Sequence, residues 1–329
     1  MVIPMTRRPL CEFLVASCVD NGGIYRYRLF ENGEVEQLQK ISMPSPMFFA
    51  VERERLWAIL REPFALTSHS GVAAYDLRSG RRLTDVISTQ GEVACHLAVD
   101  GKDVYVANYT GGSVFKFPDI AVRHKGHGTD PSRQTSPHPH SVFFSPDKKY
   151  VLSCDLGIDT VFVYDRELCE ISRARVPDGS GARHLTFSRD GRYVYCINEM
   201  AATVSTFAYR DGSLTYLHSV SATPDGFLGQ GKGAAIKLAR DGRHLYVTER
   251  GSERIVLFEM DGERLKRIAH FDTHGKEPRD FALVANEGFA ICANQFSGNL
   301  SVYKKERDHT LTYLSSFSIP APLCVEEII

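Results

Sequence analysis

ARHLTFSRDGRYVYCINEMAATVSTFAY, running from Ala182 to Tyr209, holds the pattern that decides the fold. It reads as an apolar strand, a tight turn at Asp190-Gly191, a second strand of β-branched and aromatic residues, a polar loop and a third alternating strand. The same order returns as HSVFFSPDKKYVLSCDLGIDTVFVYD from His140, AAIKLARDGRHLYVTERGSERIVLFEM from Ala234 and RDFALVANEGFAICANQFSGNLSVYKK from Arg279. A shorter form, CHLAVDGKDVYVANYTGGSVFKF, starts at Cys95. Asp100-Gly101, Pro146-Asp147 and Asp241-Gly242 supply the corresponding turns. A more polar fourth strand follows, as over Ser213 to Val220 and Glu263 to Phe271. A four-stranded unit repeated at roughly 45 residues predicts a β-propeller. Helical repeats of similar period would space their apolar residues by three and four, which these segments do not.

Two weaker units bring the ring to seven blades, one from Met47 to about Gln90 and one whose outer three strands lie within Glu12 to Ile41. The latter has no inner strand of its own. The apolar residues Leu323 to Val325 and Ile328-Ile329, at the other end of the chain, are expected to supply it, leaving no open sheet edge. The prediction is an all-β, seven-bladed propeller with four antiparallel strands per blade, a single domain over residues 1–329.

Hydrophobic residues make up 43% of the chain, charged residues 24%, and the formal net charge is −1. That is ample for a core and gives no bulk basicity to neutralise phosphates, so nucleic acid is excluded as a partner. The eight cysteines are scattered without C-x-x-C spacing and read as reduced core thiols. Arg7 and Arg8 precede a stretch, Leu10 to Val19, that is broken by Glu12 and has no small-residue cleavage site, and no apolar run approaches a membrane span. A cytoplasmic protein without membrane contact is expected. A closed ring has no obligatory interface, so the sequence sets no oligomeric state.

Inner and second strands are antiparallel, so the start of one and the end of the other meet at one mouth of the ring. Cys95-His96, His140-Ser141, Arg183-His184, Ala234-Ala235 and Arg279-Asp280 stand at inner-strand starts. Asn108-Tyr109, Asp155-Leu156, Asn198-Glu199, Glu249-Arg250 and Asn294-Gln295 stand just past the second strands. Imidazoles, guanidiniums, carboxylates and amides at these positions predict a polar, mainly cationic pocket at the channel mouth.

These residues resemble the lactonase propeller family, which contains the bacterial 6-phosphogluconolactonases of propeller type and the fungal 3-carboxy-cis,cis-muconate lactonizing enzymes. The likeness spans nearly the whole chain and is most specific in ACHLAVD and VANYTGGSV (Ala94 to Val114), PHPHSVFFSPD (Pro137 to Asp147), ARHLTFSRDGRYVYCINE (Ala182 to Glu199) and PRDFAL with CANQ (Pro278 to Leu283, Cys292 to Gln295). The resemblance implies a seven-bladed fold, no required cofactor, and a small anionic lactone or muconate-like substrate. Position by position, the acting residues of the muconate enzymes correspond to His140, Arg183, Glu199 and Arg279. The chain departs from the family at Ala235, where many members carry an acidic residue, at Asp280, where asparagine is common, and at Ser17 to Gly23.

Lactone hydrolysis needs a base for water, donors for the oxyanion and anchors for the substrate's anionic group. Glu199 or His140 is the expected base, and Arg183 and Arg279 the anion grips. His96, Asn108, His184, Lys232 and Asn294 are the expected substrate contacts. The expected activity is hydrolysis of 6-phosphogluconolactone. A lone arginine at a strand end is ordinarily a surface ion-pair partner, and Glu199 and Arg183 are placed to pair across one blade. His124, His127, His138 and His140 have zinc-like spacing but sit in a Gly- and Ser-rich loop without nearby cysteines, so no metal is expected there. GQGKGAA (Gly229 to Ala235) lacks full phosphate-loop spacing and opens a strand. Two other readings stand beside hydrolysis: a cycloisomerase of muconate type, using the same base without water, and a non-enzymatic propeller that presents one face to partner proteins.

Overall fold

The structure, a computed structural model, describes residues 7–61 and 67–328. Among these the chain forms seven four-stranded antiparallel sheets and no helix, so none crosses a membrane as a helix. Blade 5 shows the plan: Ala182–Phe187 innermost, then Tyr193–Asn198, Thr203–Arg210 and Ser213–Ser221. Burial falls outward as composition dictates. Val151–Asp155, a second strand, is buried throughout, whereas the fourth strand Arg264–Asp272 alternates because it packs on one face only. The cores lie between blades, as where Leu152 and Cys154 of blade 4 meet Leu185, Val194 and Cys196 of blade 5. All eight cysteines are free thiols.

The ring closes as the terminal patterns imply. Pro322–Ile328 pairs with Pro9–Ser17, from Glu12 opposite Ile328 to Ser17 opposite Pro322, and becomes the inner strand of blade 1. Ile329 lies outside the described residues. Asp280, buried in the inner strand of blade 7, latches this closure by accepting the Val325 amide at 2.9 Å. Asp280→Ala is expected to cost about 1.5–3 kcal/mol, the worth of a hydrogen bond to a charged group. The reading is a lower urea midpoint at constant m-value. An unchanged midpoint would mean that the latch contributes nothing.

One irregularity recurs in every blade. Near its start each inner strand carries one residue more than its partner: Cys95 between Ala94 and His96, His140 between Pro139 and Ser141, Arg183 between Ala182 and His184, and Arg279 between Pro278 and Asp280. The extra residue falls within Met47-Phe48, within Ala234-Ala235, and at Leu323 in the other three blades. A β-bulge at that point re-aims a side chain out of the alternating pattern. Here Met47, Cys95, His140 and Arg279 are turned onto the wall of a cavity at the channel mouth.

Candidate active site

The cavity holds about 340 Å³ and is walled by two sets of residues. The first set is the bulged residues of the inner strands. The second follows the second strands: Arg61, Tyr109, Glu199, Arg250 and Gln295 each stand one residue beyond the strand end. Their backbones are fixed by one repeated hydrogen bond to the lead-in of the inner strand. Tyr109 N donates to Val93 O at 3.0 Å, Glu199 N to Gly181 O at 2.7 Å, Arg250 N to Lys232 O at 2.7 Å and Gln295 N to Glu277 O at 2.9 Å. The last residue of the second strand points the other way, into the blade. Asn108 and Asn294 are fully buried there, donating to Thr89 O and Ser113 Oγ and to Thr273 O and Ser301 Oγ. Neither lines the cavity, because adjacent residues of an extended chain face opposite sides.

Glu199 is the centre of the charge arrangement. Its Oε2 accepts from Arg183 Nε at 3.1 Å and lies 3.0 Å from an Arg250 nitrogen, while Oε1 accepts from Arg133 at 2.8 Å. His140 Nε2 stands 3.7 Å from Oε2. Burial alone would raise the Glu199 pKa. The guanidiniums of Arg250, Arg183 and Arg133 outweigh that and hold the carboxyl well below its ordinary range. Arg183 also donates to Ala234 O at 2.6 Å, and Arg250 to Glu277 at 2.6 Å and Gly233 O at 3.1 Å, so both guanidiniums are rigidly held. Burial and the Arg250 and Arg279 charges push Arg183 down to about 9, which leaves it cationic at neutral pH.

His140 is neutral at neutral pH, because burial and then Arg183 lower its pKa well below the usual value, opposed only in part by Glu199. Its Nδ1 has no hydrogen-bond partner among the described residues. Cys95, donating its thiol to His140 O at 3.2 Å, is raised to about 12 by burial and is no nucleophile.

The cations of the wall divide into two groups. Arg133 and Arg250, with Arg183 behind them, are committed to Glu199. Arg61, Lys232 and Arg279 line the same cavity, and among the described residues no carboxylate lies within ion-pairing distance of their side chains. Arg279 donates only to Gln295 at 3.3 Å. The cavity thus couples a carboxylate to an imidazole and also presents uncommitted positive charge.

Of the residues expected from sequence, His140, Glu199, Lys232 and Arg279 meet in the wall, with Arg183 bonded directly behind Glu199. His96 and His184 lie one layer deeper, their rings 5.1 Å apart and that of His184 5.3 Å from His140. His96 Nδ1 accepts the Val142 amide of the next blade at 3.3 Å. Arg250, Tyr109 and Gln295 stood in the quoted strand-end pairs without being chosen, and their signal was the one-residue step past the strand. Arg133 comes from the loop before blade 4, where no repeat points to it. The four histidines of the Gly- and Ser-rich loop go separate ways: His124 bonds Asp155 at 2.6 Å and Tyr164 at 2.7 Å, His138 bonds Tyr109 O at 3.0 Å, and His127 is exposed. Ala235 is packed in an inter-blade core, and Asp280 belongs to the ring closure rather than to the cavity wall.

Comparison with known proteins points the same way. The profile of the family described as "Lactonase, 7-bladed beta-propeller" matches residues 12–327. A 6-phosphogluconolactonase of Bacillus subtilis (strain 168) is 32% identical over 331 residues, covering 92% of this chain and 94% of that protein. A 6-phosphogluconolactonase of Formosa agariphila is 30% identical over 271 residues, covering 73% and 76%. The solved structure of the Pseudomonas aeruginosa periplasmic gluconolactonase PpgL aligns at a TM-score of 0.87 with 28% identity, covering 97% of this chain and 99% of that one.

Proposed function

Because the chain belongs to the seven-bladed β-propeller lactonase family and is a lactone hydrolase, we propose that it opens 6-phosphogluconolactone to 6-phosphogluconate in this cavity. One observation carries the choice of a phosphorylated substrate: Arg61, Lys232 and Arg279 stand in the same wall as the Glu199–His140 pair and have no ion-pair partner among the described residues. A dianionic phosphoryl group fits that charge, and arginine grips its oxygens bidentately.

In the proposed mechanism a water rests against His140 and Glu199. The His140 imidazole takes its proton as the water oxygen bonds to the lactone carbonyl carbon. The neighbouring Glu199 carboxylate stabilises the imidazolium. Arg250 and Arg183, held rigid by Glu199 and by backbone carbonyls, offset the negative charge developing on the carbonyl oxygen. The bond from carbonyl carbon to ring oxygen then breaks, and His140 returns the proton to that oxygen. The products are the hydroxyl and the acid, which ionises at neutral pH. Glu199 is a poor base itself, since three guanidiniums hold its charge; its work is to position and to stabilise.

The eight free thiols suit a reducing compartment, and we place the protein in the cytoplasm without nucleic-acid or membrane partners. The test is acid release from freshly generated 6-phosphogluconolactone in a pH-stat, corrected for spontaneous opening. An excess rate supports the reading. Absence of excess with that lactone, together with lactone formation from a muconate, would replace it with the cycloisomerase reading.

The pH profile follows from the sign of the His140 shift. The base acts only when neutral, and its pKa is lowered, so kcat/KM should hold constant from neutrality down through pH 6.5 and fall only below that. Glu199→Gln removes the charge that opposes this lowering, so the acid limb should move to still lower pH. An acid limb centred above 6.5 would exclude His140 in this environment as the base.

A further inference from the structure

We propose that Asp241, His244 and His309 form a binding site for a divalent transition metal with nitrogen and oxygen preference, which clamps blade 6 to blade 7. The site lies on the face of the ring opposite the cavity and is separate from the loop histidines discussed above. Asp241 occupies the turn between the inner strand Gly233–Leu238 and the second strand His244–Glu249 of blade 6. Its Oδ1 accepts the amides of Arg243 at 2.9 Å and His244 at 3.1 Å, which fixes the carboxylate. This half is common turn chemistry, since Asp190 takes the Arg192 amide and Asp147 the Lys149 amide in blades 5 and 4.

What differs in blade 6 is the surroundings of the second oxygen. Asp241 Oδ2 lies 2.6 Å from His244 Nδ1 and 3.2 Å from His309 Nε2, and the two imidazoles, stacked with centroids 3.7 Å apart, need a turn of one ring out of the stack to aim both nitrogens at one ion. One ligand atom from each of the three residues lies within 4.8 Å of the others. The residues that take the place of His244 in blades 4 and 5 are Tyr150 and Tyr193, which offer no such ligand.

The position of His309 is equally particular. It belongs to the turn between Asn299–Lys305 and Leu311–Ser318 of blade 7, where its carbonyl accepts the Tyr246 hydroxyl at 2.7 Å. The same clamp joins blades 5 and 6, where the Tyr195 hydroxyl donates to Gly262 O at 2.7 Å. Gly262 has φ +60°, a left-handed conformation that glycine adopts without steric cost, whereas His309 holds φ +67° with a full side chain. An imidazole kept in a strained conformation beside a second imidazole and a fixed carboxylate is a pattern of functional sites.

The chemistry of the set is that of zinc, cobalt or nickel sites. Ligand atoms about 2.0–2.2 Å from a tetrahedral metal stand roughly 3.3–3.6 Å apart, close to the 3.2 Å between His309 and Asp241. The shorter His244 contact is a hydrogen bond that the metal would replace. All three side chains are partly exposed, which leaves water for the remaining position. Lys305 Nζ, 3.4 Å from His309 Nδ1, is a nearby charge that opposes a cation, so its removal should tighten binding.

The test is calorimetric titration of metal-stripped protein with Co²⁺ and Zn²⁺, beside Asp241→Asn, His309→Gln and Lys305→Ala. Asp241→Asn keeps the Oδ1 acceptor for both amides and so spares the turn. Expected are one metal per chain, visible Co²⁺ bands without thiolate charge transfer, affinity lower by at least about tenfold in the first two variants, and tighter binding in the third. Unaltered lactonase rates in all three, far from the cavity, would confirm folding. Binding unchanged by both ligand substitutions, thiolate bands, or no binding at all would overturn the proposal.

Discussion

Glu199→Gln is expected to lower kcat/KM for 6-phosphogluconolactone by about 100- to 10,000-fold, the range of general-base catalysis by the His140 imidazole that Glu199 positions and stabilises. The carboxylate accepts from Arg183 and Arg133, contacts Arg250 at 3.0 Å, and stands 3.7 Å from His140. An amide has one acceptor oxygen and would turn its NH₂ toward a guanidinium. Stabilisation of the His140 imidazolium would go, together with the anchor that aims Arg250. Arg183 and Arg133 would also lose their counter-charge, while Arg250 keeps Glu277, and breaking a buried pair on one side costs about 3–5 kcal/mol. A thermal midpoint and circular dichroism spectrum therefore accompany the kinetics. His140→Gln serves as the second arm: it removes the proposed base and leaves the carboxylate with its three arginines. Loss of rate in a folded His140→Gln supports the pair as the base, and a rate within threefold of the parent would remove His140 from the mechanism.

Arg279→Ala should weaken use of the phosphorylated lactone by about 10- to 150-fold, corresponding to 1.5–3 kcal/mol for a hydrogen bond between charged groups. The effect should appear mainly in KM, because an anchor for a remote group binds ground state and transition state alike. Gluconolactone, which has no phosphate, should change by less than about threefold under the same reasoning. Arg279→Lys should recover part of the loss, since it restores charge but not the planar fork. Equal losses on both lactones would place Arg279 at the reacting carbonyl and refute the phosphate assignment.

The propeller was legible because the strand pattern repeats from Cys95 onward and the terminal apolar run had a vacant place to fill beside Pro9–Ser17. The inner-strand half of the site was legible as well: strand starts must meet at one mouth, and His140, Arg183 and Arg279 stood there. The reason His140 and Arg279 project onto the cavity, a bulge in every inner strand, was not readable, since an inserted residue alters register without altering composition. At the second-strand ends the alternation of one residue decided the outcome. Glu199 falls on the cavity side, whereas Asn108 and Asn294 turn into their blades and their neighbours Tyr109 and Gln295 turn to the cavity, as does Arg250 beside Glu249. Arg133 arrives from a loop with no repeat to index it, so only the folded chain brings it to Glu199. Asp280 illustrates the converse: a carboxylate beside Arg279 in sequence, it turns one residue later toward the closing strand and bonds Val325.

The central claim is that lactone opening takes place between the Glu199–His140 pair and the uncommitted cations of one channel mouth. Its most direct test is the initial rate of acid release from 6-phosphogluconolactone by the parent protein and by the Glu199→Gln, Arg279→Ala double variant, at matched folded concentration. The account predicts a clear excess over spontaneous opening for the parent and none for the double variant. A double variant within threefold of the parent would show that the chemistry lies elsewhere on the ring.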